Sequence, residues 1–581
     1  GFSRSRLLVK ALLGLLLAWY IALLVYLFVD VQYFAFSQRH LTFELSNTWK
    51  DTGVILKIGA SKYLFEFLGF TVLLVLFSYI FIKLTAPFRR LEARKGILLG
   101  LALDALAFLI IVAVSVVSVR GGVQMKPLGT KNAFMEGNTV LGFLNLNGIY
   151  TTFDTIYNSK DNSELLAFLE SNNSGDGRDV AARMISSEKE ENSPGYPLYR
   201  NFKYASGERK EMNVVLFIME SWSAKFIGSL GGKIDAAPYF TSLSDKGLLL
   251  TSCFANAQRS YEGLTATIGS IPMTKGMSFE QGGLLFQTSL EPIGEVFSNY
   301  GYDTIFVHGA RPGSMGFDGL VKKLGIKRHI SRNDFQDIDR VDDGTWGIFD
   351  EYSFLRAHEE FEKLDRPFFA VVYSLSSHTP YKLPSGEFEH FDSSVPFRDF
   401  LNSMRYSDYA LQKFFEKAKD SRYFDNTLFI VIADHTEGMS TADNIYESYR
   451  IPCFFYAPGM IKPARYDGLA SQLDVVPTVY DMLKVSDKHT SWGKSIFSPG
   501  KRQTILPRGD MFVWVNEPYM LVTNLYSPLG LYNFKLEPKK NLLSNGAAGA
   551  ETKKLNNEVL NYIKLSYELI LDNRVRPNAP L

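Results

Sequence analysis

The sequence predicts an α/β fold: a largely parallel sheet flanked by helices on both faces, preceded by an N-terminal transmembrane helical domain. Three observations predict it. The first 120 residues contain three apolar runs of bilayer-spanning length. From residue 213 onward, short unbroken apolar runs alternate with stretches of helical periodicity, the pattern of strands buried on both faces by intervening helices. Several of those runs end in a carboxylate or an imidazole, as strands do when their carboxyl ends line a ligand crevice.

The apolar runs come first in the chain, at residues 7–29, 64–84 and 97–119. Each approaches or exceeds the roughly 20 residues that a helix needs to cross a bilayer. None has an amphipathic face to offer a soluble core. The first is too long for a secretory signal and lacks a small-residue cleavage site. Asp104 interrupts the third and is expected to face another helix. Arg4, Arg6 and Lys10 precede the first span, and Lys83, Arg89, Arg90, Arg94 and Lys95 fill the loop between the second and third. The positive-inside rule puts both clusters in the cytoplasm. Everything after Arg120 then lies outside, giving a multi-pass protein of the cytoplasmic membrane with its large domain on the extracytoplasmic side. An even number of further spans ahead of Gly1 would leave this orientation unchanged.

At 581 residues the chain should hold more than one domain. We divide it into a transmembrane domain (1–120), a juxtamembrane stalk and linker (121–212), an extracytoplasmic α/β domain (213–535) and a C-terminal helical tail (536–581). The linker carries NNSGDG at 172–177 and SSEKEENSPGYP at 186–197, both turn-rich and charged. Strands are expected at 213–219, 248–254, 303–308, 368–375, 427–433 and 453–457. Helices are expected at 238–246, 261–269, 290–300, 350–364, 398–420 and 471–483. The 62 basic and 61 acidic side chains leave a net charge of +1, without the basic excess of a nucleic-acid binder, so no nucleic-acid partner is expected. Cys253 and Cys453 sit in apolar strand-like runs and read as buried thiols.

The strand ends carry the chemistry. NVVLFIM is followed by Glu220 and Ser221, DTIFV by His308, FFAVVYSL by Ser376, Ser377 and His378, and TLFIVIA by Asp434 and His435. Glu220, Asp434 and His435 offer two hard oxygens and one nitrogen, a set suited to Mn²⁺, Mg²⁺ or Zn²⁺. A divalent cation there would lower the pKa of a neighbouring hydroxyl. Ser260, in NAQRSYEGLT between a strand and a helix, sits where free N–H groups favour an anion. Tyr261, Thr265 and Thr267 are nearby alternatives, and a plain N-cap is the alternative role of Ser260.

Five segments in this order resemble lipoteichoic acid synthase-type phosphoglycerol transferases of the alkaline phosphatase/sulfatase superfamily, in a Gram-negative-like version. They are MESWSAKFIG, NAQRSYEGLTATIGSIP, SLSSHTPY, YSDYALQKFFEKAKDSRYFDNTLFIVIADH and YAPGMIKPARYDGLASQLDVVPTVYDML. The resemblance runs from about residue 7 to beyond residue 532, and includes RGGVQMKPL after the spans and LYNFKLEPKKNLL near the end. It implies an alkaline phosphatase/sulfatase-like sheet with Glu220, Asp434 and His435 as metal ligands. It also implies that Ser260 is the nucleophile and a fourth ligand, where the best-known members have Thr. His378 matches a histidine that contacts the substrate phosphate, and His308 another active-site histidine. We read Arg311, Arg259 and Trp346 as further substrate contacts.

Two departures stand out. The family's Phe-Trp-Asn-Arg stretch is replaced by a segment with Met315 and Phe317 near the Trp and Arg places. Glu437 has no ligand role in the pattern and reads as supporting or solvent-facing. Sulfatase chemistry proper needs a Cys or Ser in C/S-x-P-x-R, and Cys253 is followed instead by FANAQ. The resemblance therefore implies phosphoryl transfer with Mn²⁺ preferred over Zn²⁺ or Mg²⁺. The donor would be a membrane phospholipid, phosphatidylglycerol first, and the acceptor an envelope glycan or glycolipid hydroxyl such as a periplasmic glucan. A phosphodiesterase or phospholipase-C-like hydrolase, another head-group transferase, and a binding protein with a degenerate site remain as alternatives.

Overall fold

The computed structural model describes residues 2–37, 64–87, 97–120, 123, 144–152, 168–169, 171, 185, 187–205, 208–273, 285, 288–437, 444–508, 511–525, 527–545, 549–571 and 573–577. The chain divides into two compact units, Gly1–Phe134 with Thr139–Lys160, and Met135–Asn138 with Asp161–Leu581. The basic residues Arg89, Arg90, Arg94 and Lys95, most of the stalk and the NNSGDG segment lie outside the described residues, as does the side chain of Asp104.

The first unit is helical. Helices α1 (Phe2–Ser37), α2 (Leu64–Thr85) and α3 (Ile97–Arg120) cover the three apolar runs. Val9–Gln32 and Leu64–Thr85 are long and apolar enough to cross a membrane. In the third helix the described apolar stretch is the shorter Phe108–Ser118. Phe28 stacks on Phe70 with ring centroids 4.3 Å apart, and Tyr20 meets Phe77 edge-on at 6.1 Å. Exposed Leu, Val, Ile and Phe side chains cover the outer faces of α1 and α2, the signature of helices that are apolar all round.

The second unit is built on a mixed, mostly parallel eight-stranded sheet. Its principal strands are β3 (Asn213–Met219), β4 (Leu248–Phe254), β5 (Asp303–His308), β7 (Phe368–Tyr373), β8 (Thr427–Ala433) and β9 (Arg450–Tyr456). Short β6 (Arg328–Ile330) and longer β10 (Ala464–Ser471) close the edges, in the order β10-β4-β9-β8-β3-β7-β5-β6. Only β9 runs antiparallel to both neighbours. Every residue of β3, β7 and β8 is buried, because helices cover both faces and leave the apolar runs no polar side. The covering helices are α4 (Pro238–Ser244), α5 (Ser260–Gly269), α6 (Ile293–Asn299), α7 (Phe317–Lys323), α8 (Asp350–Glu362), α9 (Arg398–Ala418) and α10 (Val475–Leu483). Cys253 and Cys453 are buried free thiols on β4 and β9.

Besides the edge strands β6 and β10, which were not expected, the structure departs from the sequence expectation in two further places. SSEKEENSPGYP, read as linker, opens an antiparallel hairpin of β1 (Glu190–Ser193) and β2 (Tyr196–Phe202). The charges that suggested a solvated linker are partly internal: Glu190 and Arg200 are fully buried and paired at 3.0 Å, with His489 Nε2 2.9 Å from the same carboxylate. Arg200 also donates to the carbonyls of Ser491 and Gly493, each at 2.5 Å. Further on, an antiparallel four-stranded sheet, β11 (Gln503–Arg508), β12 (Met511–Asn516), β13 (Tyr519–Thr523) and β14 (Pro528–Asn533), was not expected as a separate layer. Helix α11 (Gly549–Leu571) buries Leu555, Val559, Tyr562 and Ile563, and Trp514 of β12 packs on Tyr562 at 5.3 Å.

Burial alone would raise the Glu190 carboxyl, but Arg200 and His489 hold it below its ordinary range. A depressed carboxylate contributes stability above its unfolded pKa and loses it as pH falls through the folded value. Replacing Arg200 by Met, which strands that charge, should cost about 3–5 kcal/mol at neutral pH. Urea unfolding of the detergent-solubilised protein measures this, and the deficit should shrink as the medium is acidified.

Candidate metal and nucleophile site

Parallel register brings the first two groups together. Strand β3 pairs with β8 up to Met219 opposite Ala433, so the next residues, Glu220 and Asp434, leave the sheet side by side. On its other flank β3 pairs with β7 as Ile218 opposite Tyr373, which puts a phenol at the same rim. Ser221 then turns left-handed, at φ 61°, a conformation that costs a non-glycine residue about 1–2 kcal/mol. It is held there by its N–H, which donates to Asp434 Oδ1 at 2.8 Å. The N–H of Glu220 donates to Ser374 Oγ at 2.7 Å.

Asp434 is gripped on both oxygens. Oδ1 accepts the N–H groups of Ser221 and His435, and Oδ2 accepts the Tyr373 hydroxyl at 2.5 Å. Burial, with Asp434 next, pushes the Tyr373 phenol well above its ordinary range. His435 donates from Nδ1 to the Thr436 carbonyl at 2.8 Å, which turns Nε2 toward the acids, 3.2 Å from Asp434 Oδ2 and 3.7 Å from Glu220 Oε1.

Ser260 arrives from a different part of the sheet. It is the first residue of α5, after Arg259 in extended conformation. Its Oγ donates to Glu220 Oε2 at 3.0 Å and lies 3.4 Å from His435 Nε2. Gly263 permits the approach: a Cβ there would sit 2.4 Å from the Asp434 carbonyl oxygen. A buried amide network fastens the loop ahead of the helix. Gln472 Oε1 accepts the Asn256 N–H at 2.8 Å, while its Nε2 donates to the carbonyls of Ala433 and Asp434.

The donor set fits a divalent cation. Glu220, Asp434 and His435 each offer one ligand atom, all within 4.8 Å of one another. Burial first, then the Asp434 charge, raise the Glu220 carboxyl well above its ordinary range, and His435 is the positive group that opposes them. With Nδ1–H already spent, the Nε2 lone pair of His435 faces two carboxylates. That arrangement calls for a proton or a cation at its centre.

The remaining sequence-derived candidates fall in three places. His308 is 2 % exposed, enclosed by Phe317 and Tyr373 at ring separations of 5.2 Å, and burial, with His329, lowers its pKa to about 3. His378 and Trp346 come together at the rim with centroids 4.2 Å apart. Arg259 and Arg311 are both exposed on loops, beside Ser260 and after β5 respectively. Glu437 N–H donates to Ser223 Oγ at 3.0 Å, and its carboxylate takes the Tyr381 hydroxyl.

Sequence reasoning missed Tyr373, Gln472, Asn256, Gly263 and Asp350. Asp350 is buried at the start of α8 and accepts the N–H groups of Leu375 and Ser376 at 2.6 and 3.1 Å, so it sets the loop carrying His378. Tyr373 looked like one more apolar strand residue, and the signal for the others is a spatial contact between distant segments.

The sulfatase family model matches residues 212–485. That match spans the eight-stranded sheet from β3 to β10 and the site at its rim. Among curated proteins the chain is similar to lipoteichoic acid synthase 1 of Bacillus subtilis, 23 % identical over 400 residues that cover 64 % of this chain and 59 % of that protein. It is also similar to lipoteichoic acid synthase-like YvgJ of the same organism, at 22 % identity, with 53 % of each chain covered. Phosphoglycerol transferase I of Citrobacter koseri matches at 23 % over 45 % of this chain and 36 % of that protein. The chain thus spans about half to three-fifths of the two Bacillus proteins. Among solved structures, an alkaline phosphatase superfamily protein from Vibrio parahaemolyticus superimposes with a TM-score of 0.58 at 26 % identity, over 69 % of this chain and 97 % of that one. The lipoteichoic acid synthase LtaP from Listeria monocytogenes shares the fold, with a TM-score of 0.55 at 17 % identity over 68 % of this chain and 98 % of its own.

One Ser-x-Pro-x-Arg string does occur in the matched region, at Ser394–Arg398. Its serine is exposed and bonded to Asp392 ahead of α9. The position that contacts the acidic cluster is Ser260.

Two outcomes follow from this geometry. A raised carboxyl binds its proton in the folded state after the unfolded chain has lost it. Metal-free stability should therefore fall as pH rises above the ordinary carboxylate value. Thermal unfolding between pH 5 and about 8 in chelator should show this slope, Glu220→Gln should flatten it, and added Mn²⁺ should stabilise the wild type most at the alkaline end. Gly263→Ala, by displacing α5 from the Asp434 carbonyl, should weaken Mn²⁺ binding by about 10–100-fold in calorimetry while leaving the circular dichroism spectrum unchanged.

Proposed function

We propose that this chain is a membrane-held, metal-dependent phosphoglycerol transferase. Its donor is a membrane phospholipid of the phosphatidylglycerol type, and its acceptor an envelope glycan or glycolipid hydroxyl. The observation that carries the reading is the position of Ser260 Oγ, 3.0 Å from Glu220 and 3.4 Å from His435 Nε2 at the carboxyl-end rim of the sheet. The similarity to lipoteichoic acid synthases and to phosphoglycerol transferase I supports the head-group class.

In this reading Glu220, Asp434, His435 and Ser260 hold the cation, Mn²⁺ by preference. When bound, it offsets the two buried acids and favours the ionised form of a nearby hydroxyl. Ser260 Oγ attacks the phosphorus of the lipid phosphodiester. The bond to the diacylglycerol oxygen breaks, that oxygen takes a proton, and a glycerophosphoryl group remains on the serine. An acceptor hydroxyl then displaces Ser260. The N-terminal end of α5 favours the negative phosphoryl oxygens. Tyr373, Ser221 and the Gln472 network keep the acids and the serine in register. The two helices of membrane-crossing length support a catalytic unit held where lipid head groups emerge. We place that unit, about residues 213–535, on the periplasmic side.

Mass spectrometry of the Ser260 peptide after incubation with phosphatidylglycerol and Mn²⁺ tests this. A glycerophosphoryl mass shift on Ser260 is expected, and it should vanish in Ser260→Ala and with chelator. A shift that persists in Ser260→Ala would overturn the nucleophile assignment.

A further inference from the structure

The turn that follows β8 carries two acids, Asp434 and Glu437, and each holds a residue of a neighbouring loop. Asp434 Oδ1 accepts the N–H of Ser221, on the loop after β3. Glu437 accepts the hydroxyl of Tyr381, on the loop after β7. Both residues so held have left-handed backbones, at φ 61°. A residue with a side chain keeps that conformation only where its surroundings impose it, and such residues gather at functional sites. The Asp434 contact belongs to the acid cluster described above. Glu437 stands outside that cluster.

Three strand-end loops join at Glu437. Its own chain continues from β8, two residues past His435. Its N–H donates to Ser223 Oγ at 3.0 Å, on the loop after β3, and its carboxylate takes the Tyr381 hydroxyl. Strand β3 lies between β8 and β7 in the sheet. At about 4.8 Å between strands, the tie therefore bridges roughly 9–10 Å past the end of β3, where Glu220 leaves the sheet. A carboxylate on two methylenes and a phenol can meet across that gap. A shorter acid, or a ring without its hydroxyl, cannot. The far end of the tie is also anchored. Tyr381 N–H donates to the His378 carbonyl at 2.8 Å, and its ring meets Phe400 of α9 edge-on at 5.9 Å.

We propose that Glu437 and Tyr381 are positioning residues for the phospholipid donor. Their hydrogen bond sets the spacing between the loop that carries Ser376–Thr379 and the cluster that carries Ser260. The proposal rests on the transfer reading above, and neither side chain touches the reacting atoms. With the tie in place the loop is preset, and a phosphate ester binds without having to order it. Without it Tyr381 relaxes from its left-handed backbone, and the loop moves with it.

The test uses the full-length protein in detergent, loaded with Mn²⁺. Glycerol phosphate binding is read by calorimetry, and Ser260 adduct formation is followed against phosphatidylglycerol concentration. Tyr381→Phe keeps the ring on Phe400 and removes only the hydroxyl. Glu437→Asp keeps the charge and shortens the reach. Each should raise the glycerol phosphate Kd and the half-saturating phosphatidylglycerol concentration about tenfold, with a smaller fall in the saturated rate. Glu437→Gln keeps the length and an acceptor oxygen, and should stay within about threefold of wild type. The Tyr381→Phe/Glu437→Asp double variant should be no weaker than either single one, because one contact is lost once. The Mn²⁺ Kd should stay within about twofold throughout. A merely structural tie would lower the thermal midpoint and leave glycerol phosphate affinity unchanged, which overturns the proposal. Additive losses in the double variant, a Glu437→Gln as defective as Glu437→Asp, or an equal loss of Mn²⁺ affinity overturns it too. A wild type that forms no adduct and binds no glycerol phosphate overturns the transfer reading instead.

Discussion

The second unit is organised around an unfavourable contact. Two carboxylates, Glu220 and Asp434, are buried side by side at the ends of neighbouring parallel strands. Two like charges in a water-poor site repel strongly, and each also loses its hydration. Such a pair persists in a fold only when something positive completes it. Here that is a proton shared with His435 or a cation held among the three groups. The strained Ser221, the Tyr373 phenol and the inward-turned Nε2 of His435 all serve the same end, keeping the acids aimed at one point.

The nucleophile depends on that point, although it comes from β4, which lies two strands beyond β8 in the sheet. Its loop is stitched to the Asp434 turn by Asn256 and Gln472, and its helix approaches so closely that only glycine fits at residue 263. Amide side chains suit this task because each can donate and accept at once, satisfying backbone groups at the crossing that would otherwise be buried unpaired. The carboxylate–histidine cluster and the serine are thus one mechanical unit assembled from four segments.

The rim follows the same logic on a smaller scale. Asp343 and Asp350, two acids without a charged partner in their hydrogen-bond shell, each collect backbone N–H groups and so rigidify a loop. Burial raises the Asp350 carboxyl to about 6, against two backbone N–H groups and two hydroxyls that lower it. The loops then converge on the Thr379 carbonyl, 2.6 Å from the Trp346 indole nitrogen and 2.9 Å from His378 Nδ1.

Much of this was legible along the chain. Apolar runs without a polar face can only be strands covered twice or helices in lipid, so the sheet and the helices of membrane-crossing length followed from hydropathy alone. Strands that end in Glu220, His308, His378 and Asp434 pointed to one crevice, because a parallel sheet presents the carboxyl ends of its strands at one rim. Contacts made across that rim belonged to the tertiary structure. Charge density made residues 186–197 look like a solvated linker, yet Glu190 and Arg200 pair in the interior. His308 carried the same end-of-strand signature as Asp434, and only the fold set its ring between Phe317 and Tyr373. Tyr373 itself was indistinguishable from its apolar neighbours until the fold put its hydroxyl on Asp434. Hydropathy is a property of each residue and its near neighbours, and can be summed along a sequence. Whether a polar atom meets a partner, a ring or solvent depends on segments hundreds of residues away, and only the packed chain determines it.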